Sequence, residues 1–296
     1  MILIDGKATA AQIRAELKEE AASIVKSIGR APGLAVVLVG DDPASAVYVR
    51  SKGKACDELG FKSVTHKIPG TSTMQELEAL IDNLNADNTI DGILVQLPLP
   101  AGLDTQRILD RISPEKDVDG FHPQNMGRLA LGLPGFRPCT PAGVMVLMKR
   151  YGLSPNGKKS VMVGRSNIVG KPLSMMLVAN DHNANSTVTM CHSRTADLKK
   201  ECLEADFLFL AMGKPKCITA DMVKEGAVVM DIGINRIESG LVGDADFEAM
   251  KDKVQAITPV PGGVGPMTIA MLMVNTLYAY KRRNGLPADL SKYGIA

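Results

Sequence analysis

Seven short runs of Val, Ile, Leu and similar residues recur along the chain, at 34–39, 64–68, 93–97, 161–163, 188–190, 207–211 and 228–232, with helical patterns between them. Parallel strands can be joined only through a crossover, and the crossover is commonly a helix, so this alternation points to parallel sheets and an α/β fold class. The intervening helices carry start and stop signals. Thr73 with Glu76 reads as a capping box ahead of Leu77, Leu80, Ile81 and Leu84, and Asp42-Pro43 supplies an N-cap and an N1 proline for a helix ending near Gly60. Another helix begins at Thr140-Pro141 and stops near Gly152, and a last strong pattern runs over 267–283.

A chain of 296 residues has room for two domains of ordinary size, each with its own core. The stretch 153–159, which contains Ser-Pro-Asn-Gly, separates a helix from a new strand, so the domain change is placed close to residue 140. The expected domains are 1–139 and 140–266. The helix at 267–283 is apolar along much of its length and needs a partner surface, so 267–296 is expected to pack back on the first domain. The tail at 286–296 receives no function.

The net charge is +2, with Lys and Arg scattered among the acids, which argues against a nucleic-acid partner. The opening residues hold no basic segment leading into an apolar one, and no stretch reaches the ~18 apolar residues of a membrane span, so a cytoplasmic protein without membrane association is expected. Cys56, Cys139, Cys191, Cys202 and Cys217 are widely spaced and include no Cys-x-x-Cys pair, so they are expected to be reduced, packed thiols. Neither the cysteines nor the four histidines form a ligand pattern, and no protein-bound metal is expected.

One segment reads as strand, tight turn and helix start, the context that a dinucleotide fingerprint requires: Ser160-Val-Met-Val-Gly-Arg-Ser-Asn-Ile-Val-Gly-Lys-Pro172. Gly164 and Gly170 would let backbone approach a pyrophosphate at the helix N-terminus. The pattern is Gly-x-Ser-x-x-x-Gly, and an ordinary strand-to-helix turn could show the same glycines. At the end of the next strand the chain reads Cys191-His-Ser-Arg194, with no acid to hold ribose hydroxyls. A hydroxyl and a guanidinium stand there instead, with Arg165 nearby in sequence on the turn, so NADP is favoured over NAD. Met212-Gly-Lys-Pro215 and Asp231-Ile-Gly-Ile-Asn235 follow later strand ends, where an open parallel sheet builds its ligand crevice.

In the helix that starts at Asp42-Pro43, Ala46, Val49, Gly53, Cys56 and Gly60 are expected to form the buried seam. Ser45, Tyr48 and Lys52 would line the adjacent stripe. Tyr-x-x-x-Lys also marks short-chain dehydrogenases, but there it lies downstream of the fingerprint and here it lies far upstream. The plain alternative is a half-packed Tyr48 and a Lys52 with its stem buried and its head in water. Gln96 ends a buried strand and should project its amide at the sheet's carboxyl edge, and Asp119 lies in a loop where a carboxylate can accept paired N–H bonds from a heterocycle or simply serve a turn.

Five motifs, in order, together resemble the bifunctional methylenetetrahydrofolate dehydrogenase/cyclohydrolase family. They are Tyr48-Val-Arg-Ser-Lys52, Val95-Gln-Leu-Pro-Leu-Pro100, Lys116-Asp-Val-Asp-Gly120, Gly164-Arg-Ser-Asn-Ile-Val-Gly-Lys-Pro172 and Pro261-Gly-Gly-Val-Gly-Pro-Met-Thr268. The resemblance implies an N-terminal α/β folate-binding catalytic domain, a Rossmann-like NADP-binding domain, a cleft between them and a homodimer. It implies that Lys52 is the cyclohydrolase lysine, Gln96 its partner, Tyr48 a folate-stacking ring and Asp119 the pterin-binding carboxylate. Ser45, Leu97, Pro98, Gly262, Gly263 and Pro266 would border the substrate, and Gly164, Arg165, Ser166, Ile168, His192, Ser193 and Ile234 the cofactor. The implied chemistry is oxidation of 5,10-methylenetetrahydrofolate by NADP, then hydrolysis of the methenyl product to 10-formyltetrahydrofolate, within one-carbon metabolism and purine biosynthesis. A shikimate dehydrogenase relative and a non-catalytic nucleotide-binding protein are the rival readings. The first predicts oxidation of a hydroxyl without folate binding, the second cofactor binding without turnover.

Overall fold

Residues 1–295 are described in the computed structural model, and Ala296, the end of the unassigned tail, lies outside the described residues. In chain order the elements begin with β1 (Ile2–Leu3), α1 (Gly6–Ile28), β2 (Gly33–Val39), α2 (Pro43–Leu59), β3 (Lys62–Ile68), α3 (Met74–Ala86), β4 (Gly92–Val95), α4 (Thr105–Arg111), α5 (Pro123–Ala130) and α6 (Cys139–Arg150). They continue with β5 (Lys159–Val163), α7 (Gly170–Val178), β6 (Thr187–Cys191), α8 (Leu198–Leu203), β7 (Phe207–Leu210) and β8 (Val228–Asp231). The last are β9 (Asn235–Ile237), β10 (Gly240–Val242), α9 (Phe247–Met250), β11 (Ala256–Ile257) and α10 (Val264–Arg283). All seven apolar runs became strands. Among the described residues no helix is long and apolar enough to cross a membrane.

The chain divides into two units, one of Ala11–Cys139 with Ile269–Leu290 and one of Met1–Ala10 and Thr140–Thr268 with the tail from Ser291. The sequence reading had placed 1–10 and all of 267–296 with the first domain. Instead, Ile2 and Leu3 pair in parallel with Ala256 and Ile257 and form the edge of the second unit's sheet. A two-residue strand leaves no apolar run to be read. The tail is tied to that unit by Lys149, whose Nζ donates to the Ser291 and Lys292 carbonyls, each at 3.3 Å.

The first unit holds a parallel sheet ordered β3-β2-β4. Every residue of the central strand β2 is buried. Ala35, Val37 and Val39 pack with Ile93 and Val95 of β4, Leu77, Ile81 and Leu84 of α3, and Ile108 and Leu109 of α4. The caps read from sequence are in place: Asp42 Oδ2 accepts from the Ser45 amide at 2.7 Å, Gly60 ends α2 in the left-handed conformation at φ 72°, and Thr73 and Glu76 close their capping box. α10 belongs here from Ile269 onward. Its Asn275 Nδ2 donates to the Val118 and Arg137 carbonyls at 2.8 and 3.0 Å, and Tyr280 Oη donates to the Arg30 carbonyl at 2.5 Å.

The second unit holds a six-stranded sheet ordered β1-β11-β8-β7-β5-β6, with every pair parallel, and a separate antiparallel hairpin of β9 and β10. From β5 the chain crosses to β6 on one side and returns to β7 on the other. The strand order therefore reverses at β5, the place where an open α/β sheet forms its crevice.

Asp91 is the charge on which the first unit's start depends. Wholly buried, it accepts a two-pronged bond from Arg30 at 2.6 and 2.7 Å and the Gly33 amide at 2.9 Å, with Arg283 Nε at 3.4 Å. These contacts join the end of α10 to the entries of β2 and β4. Asp91→Ala leaves the guanidinium groups and the Gly33 amide without their acceptor and is expected to cost about 3 kcal/mol, the range for a broken buried pair. Urea denaturation should show a clear fall in the midpoint of the transition that includes this unit.

Candidate active site

α2 presents its buried stripe through Ser45, Val49, Lys52, Cys56 and Leu59, with Ala55 beside it. That corrects the expected register. Ser45 and Lys52 lie on the seam itself, while Ala46 and Gly53 are half-buried and Gly60 is exposed. The register counted from the cap places the seam one residue round, whereas the spacing 45, 49, 52, 56, 59 is the helical face that is buried. Lys52 is only 9% exposed, and its Nζ donates to Gln96 Oε1 at 3.0 Å. Gln96 Nε2 in turn donates to the Leu97 carbonyl at 2.7 Å, which directs Oε1 at the ammonium. Tyr48 stands one turn before Lys52 with its ring 42% exposed, and exposed Pro98 and half-buried Leu97 follow Gln96. Ser45 is taken up by the cap of α2, where it hydrogen-bonds the Asp42 carboxylate.

The two carboxylates of Lys116-Asp-Val-Asp-Gly120 have different environments. Asp117 accepts from the amides of Gly120, Phe121 and His122 and from Asn125 Nδ2, so it organises its own loop. Lys116 Nζ is held by the carbonyls of Leu84, Asn85 and Asp87 at the end of α3, and burial brings its pKa down to about 8. Asp119 has no such amide partners among the described residues. Burial raises its carboxyl from 3.8 to about 6, opposed by the Lys52 ammonium and reinforced by the Asp117 charge, while the Cys139 thiol donates to the Val118 carbonyl at 3.3 Å. The structure thus gathers Lys52, Gln96 and Asp119, with Tyr48 at the margin. Cys139 and the α10 residue Asn275, which fixes the Val118 carbonyl, escaped the sequence reading; only a buried amide in an apolar helix could have signalled Asn275.

In the second unit the fingerprint loop sits at the end of β5. A Cβ on Gly164, whose φ is 132°, would collide with the Ala211 carbonyl at the end of β7, and one on Gly170 would collide with the Gly164 carbonyl. Both glycines are therefore required by close backbone approach. Ser166 Oγ accepts from the amides of Val169 and Gly170 at 3.1 and 3.4 Å, while Arg165 and Ile168 are exposed. After β6, the His192 amide donates to Thr195 Oγ1, and His192 Nδ1 accepts the Arg194 amide, leaving Ser193 and Arg194 exposed. A glycine cradle beside hydroxyls and guanidinium groups, with no carboxylate at the β6 end, fits a dinucleotide with an added phosphate.

Ile234, 44% exposed, follows β8. A Cβ on Gly265 would meet its Cδ1 at 3.5 Å, so the loop before α10 borders it. Gly262 and Gly263 serve that loop's packing: Gly262, at φ 107°, accepts the Lys7 amide through its carbonyl, and the Gly263 amide donates to Pro259. Pro266 lies in the first turn of α10.

Comparison with known proteins matches this chain to two domain models of one family. Residues 4–119 match the tetrahydrofolate dehydrogenase/cyclohydrolase catalytic domain, and residues 138–284 match the NAD(P)-binding domain of the same family. A relative from Nitratidesulfovibrio vulgaris (strain DSM 19637 / Miyazaki F), named bifunctional protein FolD, is 64% identical over 286 residues, covering 97% of this chain and 99% of its own. The crystal structure of a FolD methylenetetrahydrofolate dehydrogenase/cyclohydrolase from Campylobacter jejuni is 53% identical with a TM-score of 0.92, covering 96% of this chain and 99% of its own. A Trypanosoma brucei enzyme of the same description, complexed with NADP cofactor and inhibitor, is 37% identical with a TM-score of 0.90, covering 95% and 98%.

The Asp119 environment has a consequence for pH. The folded carboxyl keeps its proton to about 6 and the unfolded one releases it near 3.8, so protonation favours the folded state; that contribution is complete below the lower value and lost as pH rises through the upper. Asp119→Asn, which cannot ionise, should gain on the unmodified protein by roughly 2 kcal/mol between pH 4 and 7. Denaturant midpoints of the two proteins at both pH values measure the difference, and a constant difference would contradict it.

Proposed function

The chain belongs to the tetrahydrofolate dehydrogenase/cyclohydrolase family, and from that premise we propose that it oxidises 5,10-methylenetetrahydrofolate with NADP and hydrolyses the methenyl product to 10-formyltetrahydrofolate. The observation that carries the reading is a buried lysine paired to a glutamine, beside a carboxylate that the protein leaves without amide partners. NADP, when bound, supplies the hydride acceptor. The nitrogens of the folate stabilise the cation as hydride leaves, so the protein's contribution to that step is orientation. Gly164, Arg165, Ser166 and Ser193 would hold the phosphates, and Ile168, His192 and Ile234 would border the cofactor.

Asp119 offers two carboxylate oxygens to ring and amine N–H groups of a pterin, and the exposed ring of Tyr48 offers it a stacking face. For hydration, Lys52 serves proton transfer around the attacking water and the tetrahedral intermediate. Gln96 restrains the ammonium without a charge of its own, which leaves it able to donate to the intermediate. Leu97 and Pro98 border the folate in this reading, and the family resemblance assigns Gly262, Gly263 and Pro266 to substrate as well. The same reading makes the protein a cytoplasmic homodimer whose product serves purine biosynthesis, on the strength of the family resemblance.

Purified protein given 5,10-methylenetetrahydrofolate should reduce NADP in clear preference to NAD, and should consume added methenyltetrahydrofolate. Absence of turnover with either cofactor, in folded protein, would defeat the proposal. Lys52→Met should lower cyclohydrolase activity by at least about 100-fold, the scale of a lost general acid-base group, while NADPH binding persists. Tyr48→Ala should weaken folate binding in direct titration by about tenfold, in keeping with a lost stacking contact.

A further inference from the structure

One buried carboxylate links the loop after β7 to the segment after β8, of which the functional reading uses only Ile234. Asp244 is completely buried and follows the β9–β10 hairpin. Its Oδ2 accepts the amides of Met212 and Gly213 at 2.5 and 3.1 Å, and its Oδ1 accepts the Lys214 amide and Asn235 Nδ2, both at 2.9 Å. The loop after β7 and the segment after β8 therefore converge on one side chain. Ile234 lies between two residues placed by that carboxylate: Asn235 donates to it, and Gly233 packs so tightly on it that a Cβ would overlap the carboxyl atoms. Asp231 fixes the arrangement from behind, accepting the amides of Gly233, Asp244 and Ala245 at 3.1, 3.1 and 2.8 Å.

The sheet order gives this brace its meaning. The strand order runs β8-β7-β5-β6, and the fingerprint loop stands at the carboxyl end of β5. In an open sheet of this kind the strand that follows the fingerprint contacts the adenosine ribose and the glycine turn takes the pyrophosphate, so strands beyond the reversal serve the other half of the dinucleotide. The loops tied by Asp244 are those beyond the reversal. We propose that Asp244 is a positioning residue for the nicotinamide half of the cofactor: it touches neither cofactor nor substrate but sets Ile234 and the backbone of Met212 to Lys214 where the nicotinamide must lie. The proposal rests on the NADP dehydrogenase reading above.

Asp244→Asn keeps the volume and replaces one acceptor oxygen by an NH2 that faces N–H donors. The probes are NADPH and adenosine 2′,5′-bisphosphate, which lacks the nicotinamide half, each titrated directly against the full chain. The variant should bind NADPH about tenfold more weakly while its affinity for the bisphosphate stays within about twofold, since only contacts beyond the pyrophosphate are disturbed. Dehydrogenase kcat/KM for NADP should fall by about tenfold or more, and hydrolysis of supplied methenyltetrahydrofolate without cofactor should stay within about twofold. Should Asp244→Asn fail to fold, Asn235→Ala removes one of the four donors and must show the same selective pattern at smaller size. Equal weakening of both probes, or of neither, overturns the proposal. If unmodified protein binds both probes but does not oxidise methylenetetrahydrofolate, the functional reading fails instead, and the selective loss of NADPH affinity still tests the brace.

Discussion

A parallel strand cannot hand the chain to its neighbour by a tight turn, and the arrangement of both units follows from that restriction. Each connection between adjacent parallel strands must travel back to the same starting edge, so the carboxyl ends of all strands in a sheet lie together. The loops that leave those ends are free of the sheet's own pairing and can carry chemistry. Gln96 leaves β4 in the first unit, while Gly164, His192, Met212 and Ile232 leave β5, β6, β7 and β8 in the second. Gly164 shows the restriction at its tightest, because the reversal of strand order forces its backbone against the Ala211 carbonyl and excludes any side chain.

Loops gathered at one edge still need to be held, and this protein does so with buried carboxylates that accept backbone N–H groups. Asp117 holds 120–122, Asp244 holds 212–214, and Asp231 accepts Gly233, Asp244 and Ala245. Burial alone would protonate such groups, and it raises Asp231 to about 7 against the pull of its three amides. An amide cluster offsets the cost of desolvation while fixing backbone atoms from several places at once. Asp119, half-buried and without an amide cluster, lies instead near the Lys52 ammonium, and its carboxyl is raised to about 6.

Apolar runs located the seven strands, five of which are largely buried, whereas β1, β11 and the β9–β10 hairpin were missed. Each of these has only two or three residues, and pairing with an existing edge decides them more than local pattern does. The amino terminus was assigned to the wrong unit for the same reason. On α2 the caps were legible and the register was not, because a buried lysine violates the rule that polar residues face out. The resemblance singles out Asp119, but the spacing alone does not say that Asp117 is the aspartate that meets amides, which the folded backbone decides.

The Lys52–Gln96 pair joins a buried ammonium to a neutral partner and not to an acid. A carboxylate at Gln96 would form a buried ion pair with the ammonium, hold it firmly, and oppose any further transfer of its hydrogen bonds to a reacting oxygen. The amide gives direction with less attraction. Its own geometry is not free, because Nε2 is committed to the Leu97 carbonyl and the opposite face must present Oε1 to Lys52. The Lys52 ammonium in turn opposes the rise that burial imposes on the nearby Asp119 carboxyl. In the proposed reading, occupation of that carboxylate by a ligand's N–H groups would alter the field at Lys52 and so couple binding to proton transfer by electrostatics.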